Sequence, residues 1–205
     1  MTWEILGCTR NVRLFIERLR YIRRGLKRTV LCNNCLAGMI YNDYRLQFCS
    51  PFINLMIPTM HYIEILKEIE HISKWGFVDI SSSRYKYPVG LLNSKWEVHF
   101  MHYNSYEEAT TKWFERVARM DMNNLYVILV ETHSCRIEDL VEFDKLSFRN
   151  KIALTSRDYS HIKSLYKLRD YDGQNTNGEI FWPSNRWGTR KYEQYNWLRF
   201  LELRD

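Results

Sequence analysis

The sequence predicts an α/β fold: a single three-layer α/β/α domain with a mostly parallel central sheet. Three observations carry this. Strand-like and helix-like segments alternate along the chain, the order expected where helices connect parallel strands. Leu125 to Val130 is an unbroken apolar run, as a strand buried on both faces requires. The 205 residues are 45% hydrophobic and 15% aromatic, enough for one core, with no Pro/Gly/Ser-rich linker and no internal repeat.

Taken in order, Val12, Phe15, Ile16, Leu19, Ile22 and Leu26 recur at helical spacing among Arg and Lys residues. They predict a basic amphipathic helix over about residues 10–26. Its apolar side is expected to pack on the core; the alternative is a basic helix lying on an anionic bilayer through Arg13, Arg20, Arg23, Arg24 and Lys27. Thr29 to Leu31 reads as a buried strand, stopped by Asn33-Asn34, after which Cys35 to Gly38 open a helix. Ile53 to Ile57 reads as a short strand or buried loop. Thr59 to Ser73 reads as a helix with Ile63, Leu66, Ile69 and Ile72 on one side. Lys95 to Tyr103 alternates as a strand does. Ser105 caps a helix that runs to about Met120, with Glu107 and Glu108 in its first turn. Leu125 to Val130 is the central strand, Ile137 to Leu146 a helix, and Lys151 to Thr155 a further strand. Asp170 to Gly178 is loop, and Arg190 to Leu203 an aromatic-rich closing helix.

No apolar run approaches the roughly 20 residues that span a bilayer. The start, Met1-Thr2-Trp3-Glu4-Ile5-Leu6, lacks the basic opening of a signal peptide. A cytoplasmic protein is expected, peripheral at the inner face of the membrane if the basic helix meets lipid. Cys8, Cys32, Cys35, Cys49 and Cys135 are then free thiols. Cys32 and Cys35 form a Cys-x-x-Cys, but no second ligand pair for zinc and no thioredoxin-like context accompanies it. The net charge of +6 suits anionic ligands or a membrane surface, and no nucleic-acid motif supports a nucleic-acid partner. Gly-x-Ser-x-Gly, Walker and Gly-x-Gly-x-x-Gly patterns are all missing, which withdraws the usual support for serine hydrolases, NTPases and dinucleotide enzymes.

The chemistry-bearing positions are strand ends. Cys35 follows a strand and opens a helix, where the helix dipole would favour the thiolate; a small buried hydrophobe is the bland alternative. His102 ends another strand before a helix. If the two strands were adjacent and parallel, His102 could take a proton from Cys35, and Glu131, at the end of the next strand, could orient it. Asn33 and Asn34 would donate to a developing oxyanion. Asp170 and Asp172 form an Asp-x-Asp that could hold a divalent metal.

Several motifs in order resemble a bacterial family labelled exopolysaccharide biosynthesis proteins, found in capsule, exopolysaccharide and lipopolysaccharide gene clusters. They are Asn33-Asn34-Cys35 with Gly38 and Tyr41, Ser50-Pro51 with Asn54-Leu55, and Tyr87-Pro88-Val89-Gly90. His102-Tyr103 follows, then Glu108-Ala109 with Trp113, Arg116 and Arg119, and last Phe143-Asp144-Lys145-Leu146 with Lys151. The likeness runs from about Arg28 to the C-terminus; Leu36-Ala37 departs from the Trp-Gly expected there. It implies a three-layer α/β domain acting in surface polysaccharide assembly on a carbohydrate or lipid-linked saccharide. Donors in such assembly carry phosphates, so Arg116 and Arg119, with Trp113 on the same helix, would bind the phosphates of acyl-coenzyme A. The leading expectation is acyl (acetyl) transfer to a sugar. The alternatives are a glycosyltransferase using a nucleotide sugar with a divalent metal at Asp170 and Asp172, or a non-catalytic carbohydrate-binding or assembly protein.

Overall fold

The computed structural model describes residues 3–21, 27–173 and 178–203. Helix α1 (Trp3–Tyr21) precedes strand β1 (Thr29–Cys32) and helices α2 (Leu36–Tyr44) and α3 (Thr59–Lys67), the last extended by a 3-10 turn over Ile69–Lys74. Strands β2 (Phe77–Asp79), β3 (Val89–Leu92) and β4 (Trp96–His99) follow, then α4 (Tyr106–Val117), β5 (Leu125–Val130), α5 (Ile137–Lys145), β6 (Asn150–Thr155), β7 (Leu165–Lys167) and α6 (Trp197–Phe200). The α/β character stands. A four-stranded sheet in the order β1-β5-β6-β7 is parallel throughout. Strands β2, β3 and β4 form a separate antiparallel sheet.

The parallel sheet is covered on both faces. Along β1, Val30 and Cys32 join one core cluster and Leu31 the other. Along β5, Tyr126, Ile128 and Val130 oppose Val127 and Leu129. One cluster gathers α2, Leu14 of α1 and the C-terminal Tyr192, Trp197 and Leu201; the other gathers α3, α4, α5 and the small sheet. Period-two alternation on a doubly buried strand requires this partition.

Local rules account for several boundaries. The Ser105 hydroxyl accepts the Glu108 amide at 3.1 Å, satisfying an orphan N–H of α4. Arg45, at φ 51°, ends α2 in the left-handed conformation. The expected closing helix over residues 190–203 is instead a 3-10 turn, Lys191–Gln194, and the short α6. Its aromatics pack on one another: Tyr195 lies 5.0 Å from Trp197 and 5.6 Å from Phe200.

The N-terminal helix differs from expectation in extent and in orientation. Arg23 and Arg24 and the Arg20 side chain lie outside the described residues. On the described turns the apolar side faces water: Val12, Phe15, Ile16 and Leu19 are exposed, and only Leu14 enters the core. The charged side faces the protein. Arg10 bonds Asp43 Oδ2 at 2.6 Å, Glu193 Oε1 at 2.6 Å and the Tyr192 hydroxyl at 2.9 Å. Arg13 pairs with Glu193 at 2.9 Å, and Arg18 donates to the Asp43 carbonyl at 2.6 Å. Burial works against the Arg10 charge, yet Tyr192, Asp43 and Glu193 outweigh it and raise its pKa. No helix among the described residues is long and apolar enough to cross a membrane.

Candidate functional site

Strand order decides what the carboxyl edge can assemble. The parallel strands run in chain order with no reversal, so the crevice that a reversal opens in doubly wound sheets is not formed here. Strand β4 lies in the other sheet, so His102 does not come from a strand adjacent to β1. It is exposed and makes no hydrogen bond to any described residue. The pairing of Cys35 with His102 as nucleophile and base is therefore not assembled.

Cys35 stands at the head of α2, as expected, but most of it is buried and its Sγ points to the Leu55 carbonyl at 3.7 Å. Burial pushes its thiol up to about 11, so the thiolate expected from the helix end is not favoured. Cys32, fully buried, is pushed up to about 12; both are free thiols.

Asn33 is committed elsewhere. Its side-chain Oδ1 accepts the Val130 amide at 2.8 Å and its Nδ2 donates to the Val130 carbonyl at 2.9 Å. Strand β1 ends at Cys32, opposite Ile128, and the Asn33 amide continues the ladder to Val130 as a peptide group would. Fully buried, it is a structural clamp and not an oxyanion donor. Asn34 Oδ1 accepts the Leu36 amide at 3.0 Å in an Asx turn just ahead of α2, while its Nδ2 has no partner among the described residues.

Glu131 is buried at the end of β5, as placed, but it accepts the Ser156 amide at 2.5 Å and does not orient His102. Gly173 lies against it: a Cβ there would stand 2.6 Å from Glu131 Oε2. Tyr171 donates to the Glu131 carbonyl at 2.5 Å. Asp170 gives its carbonyl to Lys191, and the Asp172 amide donates to Glu179 at 3.1 Å. No group of three or more His, Cys, Asp or Glu among the described residues is arranged to hold a metal ion.

Helix α4 supplies the feature with most chemical content. Trp113 is core, 5.3 Å from Phe52 and 5.1 Å from Phe77, and does not line a ligand site. Arg116, on the same face, is 7% exposed. Its Nη1 donates to the Tyr103 hydroxyl at 2.5 Å, Tyr103 donates to the Ile53 carbonyl at 3.0 Å, and the guanidinium lies 5.7 Å from the Phe48 ring centre. No carboxylate pairs with Arg116 among the described residues. Arg119, half-buried, and Lys27 lie within electrostatic reach of Cys49, so three cations flank the Phe48-Cys49 segment. Cys35 lies within the same reach of Tyr103. The structure thus brings Arg116 against Tyr103, with Cys35 within electrostatic reach of the same phenol, and leaves His102 out. Tyr103 was missed because the adjacent His102 has the more familiar acid–base chemistry. Its signal was only its place beside that histidine.

A second feature is a cavity of about 510 Å³ at the amino ends of β6 and β7, lined by Arg149, Lys151, Tyr166, Tyr195, Asn196 and Arg199 among others. Lys151 is held by the Asp144 and Leu146 carbonyls, and Tyr166 lies 5.0 Å from Tyr195.

The sequence of residues 9–202 matches the family model described as Domain of unknown function (DUF1919). The chain belongs to this family. It is also similar to an uncharacterized protein of Haemophilus influenzae, 32% identical over 192 residues, which cover 92% of this chain and 91% of that protein.

Proposed function

We propose that this DUF1919 protein is a transferase of bacterial surface-polysaccharide assembly whose donor is anchored by its phosphates at Arg116. The observation that carries the reading is the buried guanidinium with no carboxylate partner among the described residues. A buried charge is costly unless it is paired and hydrogen-bonded, and a single neutral phenol is a weak partner. Arg is suited to bidentate phosphate contact, and Arg119 and Lys27 add charge on the same side. The reading takes the chain as one three-layer α/β/α domain, supported by the two clusters that cover opposite faces of the parallel sheet.

Acyl transfer is the reaction we favour. A sugar hydroxyl attacks the thioester carbonyl of acyl-coenzyme A, the C–O bond forms, the C–S bond breaks, and the hydroxyl proton leaves with the coenzyme A sulfur. With the Cys35 thiol raised by burial, direct transfer fits better than a covalent acyl-enzyme, and Cys35 has a positioning role beside Tyr103. Glycosyl transfer from a nucleotide sugar uses the same phosphate anchor.

Thermal shift with coenzyme A, UDP-sugars and GDP-sugars, with and without Mn²⁺, tests the anchor. A ligand at 100 times its Kd adds about 2.7 kcal/mol of stability. Stabilisation is expected in the parent, to be reduced in Arg116→Lys and lost in Arg116→Gln. Label appearing in an oligosaccharide from acetyl-coenzyme A would support acyl transfer. Equal shifts in parent and Arg116→Gln would end the proposal. A second reading, saccharide binding without catalysis, is favoured by the cavity beside β6 and β7, where Tyr195, Asn196 and Arg199 offer a ring, an amide and a cation. It predicts glycan binding that survives Arg116→Gln and fails in Tyr195→Ala.

A further inference from the structure

Helix α1 sets an apolar stripe in water. Val12 is 53% exposed, Phe15 54%, Ile16 41% and Leu19 71%. Their spacing, i, i+3, i+4 and i+7, puts all four on one face. The opposite face is held to the protein by the bonds of Arg10, Arg13 and Arg18, so the helix cannot roll to bury the stripe without breaking them. Beside the start of this stripe, the Thr9 hydroxyl donates to the Trp187 carbonyl at 2.7 Å. Trp187 is 55% exposed, with the Arg186 guanidinium 4.8 Å from its ring centre. Further cations lie nearby: Arg18, which donates to the Asp43 and Asn42 carbonyls, has Arg45 within electrostatic reach, and Arg45 is exposed.

We propose that α1 is a lipid-docking helix that lies flat in the interface of an anionic bilayer. The stripe enters the acyl boundary, Trp187 sits at headgroup depth, and Arg186 and Arg45 face lipid phosphates. An apolar helix face, a neighbouring Trp and surrounding cations are what such a surface recognises. Charge complementarity selects lipid over a second copy of this chain, which would bring like cations together across the two-fold axis. Area argues the same way. The four side chains leave on the order of 400 Å² in water, about half of what each partner of a stable protein pair buries. The contact differs from that of a basic face attracted through charge alone: here the apolar side meets the membrane and Arg10 and Arg13 are spent within the fold.

Co-sedimentation of the full chain with phosphatidylglycerol vesicles and with phosphatidylcholine vesicles is the test, with Phe15→Ser/Leu19→Ser as the variant. Both positions are exposed, so the variant keeps its melting temperature. The parent binds phosphatidylglycerol vesicles at least ten-fold better than phosphatidylcholine, and 1 M NaCl weakens binding without abolishing it, since the apolar part is not screened. The double variant loses at least ten-fold in partition. Sedimentation velocity of parent and variant without lipid completes the test. A parent that leaves the vesicles entirely in the supernatant, a variant that binds like the parent, or a dimer dispersed by the double substitution would each overturn the proposal.

Discussion

Replacing Asn33 by alanine removes a clamp, and its cost can be worked from two hydrogen bonds. The Val130 N–H and C=O are met by one side-chain amide at 2.8 and 2.9 Å, at a position with no exposure. Alanine leaves both backbone groups unpaired where no solvent reaches them. Each such loss costs about 1–3 kcal/mol, so Asn33→Ala is expected to destabilise by roughly 2–6 kcal/mol. For a chain of this length each kcal/mol lowers the melting temperature by about 2–4 °C, so the fall is roughly 4–24 °C. Asn33→Asp sharpens the test. It keeps the acceptor for the Val130 N–H but turns a carboxylate oxygen toward the Val130 carbonyl. Only the protonated acid restores a donor. The folded-state pKa of that introduced acid must then lie above its unfolded value, so its stability is present at low pH and lost as pH rises. The melting deficit of Asn33→Asp against the parent should shrink as pH falls from 7 toward 4.5. Asn34→Ala is the control, costing about 1 kcal/mol through the lost hydrogen bond to the Leu36 amide. Calorimetric or circular-dichroism melts across this pH range measure all three. A melt of Asn33→Ala within 2 °C of the parent would refute the clamp. An unchanged melt with abolished label transfer would return Asn33 to the catalytic role first expected of it.

Other outcomes follow from single contacts. Asp43→Ala strips the carboxylate shared by Arg10 and Tyr192 and leaves a buried cation short of a partner; chemical denaturation should report a loss of about 3–5 kcal/mol. The Cys35 thiol, pushed up to about 11, should be alkylated by iodoacetamide at pH 7.5 roughly 100-fold more slowly than an ordinary cysteine, as read by peptide mass spectrometry. Comparable rates would contradict its burial. His99 faces Glu97, His61, Tyr85 and Tyr87, and its Nδ1 is buried without a partner among the described residues. Burial lowers its pKa, opposed by Glu97, so below about pH 6.5 the unfolded chain binds the proton first and stability falls with pH. His99→Gln should flatten that part of the melting profile. Gly173→Ala puts a methyl 2.6 Å from Glu131 Oε2 and should cost about 1–3 kcal/mol by displacing the carboxylate from the Ser156 amide, as urea unfolding would record.

Much of the fold could be read from the chain because it is written locally. The apolar run of β5, the Ser105 cap of α4 and the Asn33-Asn34 stop between β1 and α2 each carry their own signal. Strands β2, β3 and β7, of three or four residues, carry little, since they are strands chiefly by virtue of a distant partner. Pairing partners were equally illegible. Nothing in Trp96 to His99 says that this strand joins an antiparallel sheet, and the expected Cys35–His102 dyad failed on that point. Arg116 was legible as a phosphate ligand by residue type, while its lack of a carboxylate partner depends on tertiary packing. For α1, periodicity identified the two faces correctly and hydrophobicity misjudged which one turns inward, because Asp43 and Glu193 supply acceptors from far along the chain.

The Arg10 bridge also orders events in time. Its partners stand at positions 43, 192 and 193, so the bridge is incomplete until residue 193 has been made. During synthesis, Arg10 can meet Asp43 early but must wait some 150 residues for Tyr192 and Glu193. At about 5–20 residues per second that delay lasts on the order of ten seconds or more. Throughout it, α1 emerges as a basic, apolar-striped segment with its final seat unfinished. A segment translated some 150 residues after Asp43 therefore completes the latch on α1, and a ribosome that stops short of Tyr192 releases a chain whose helix α1 has only part of its anchorage.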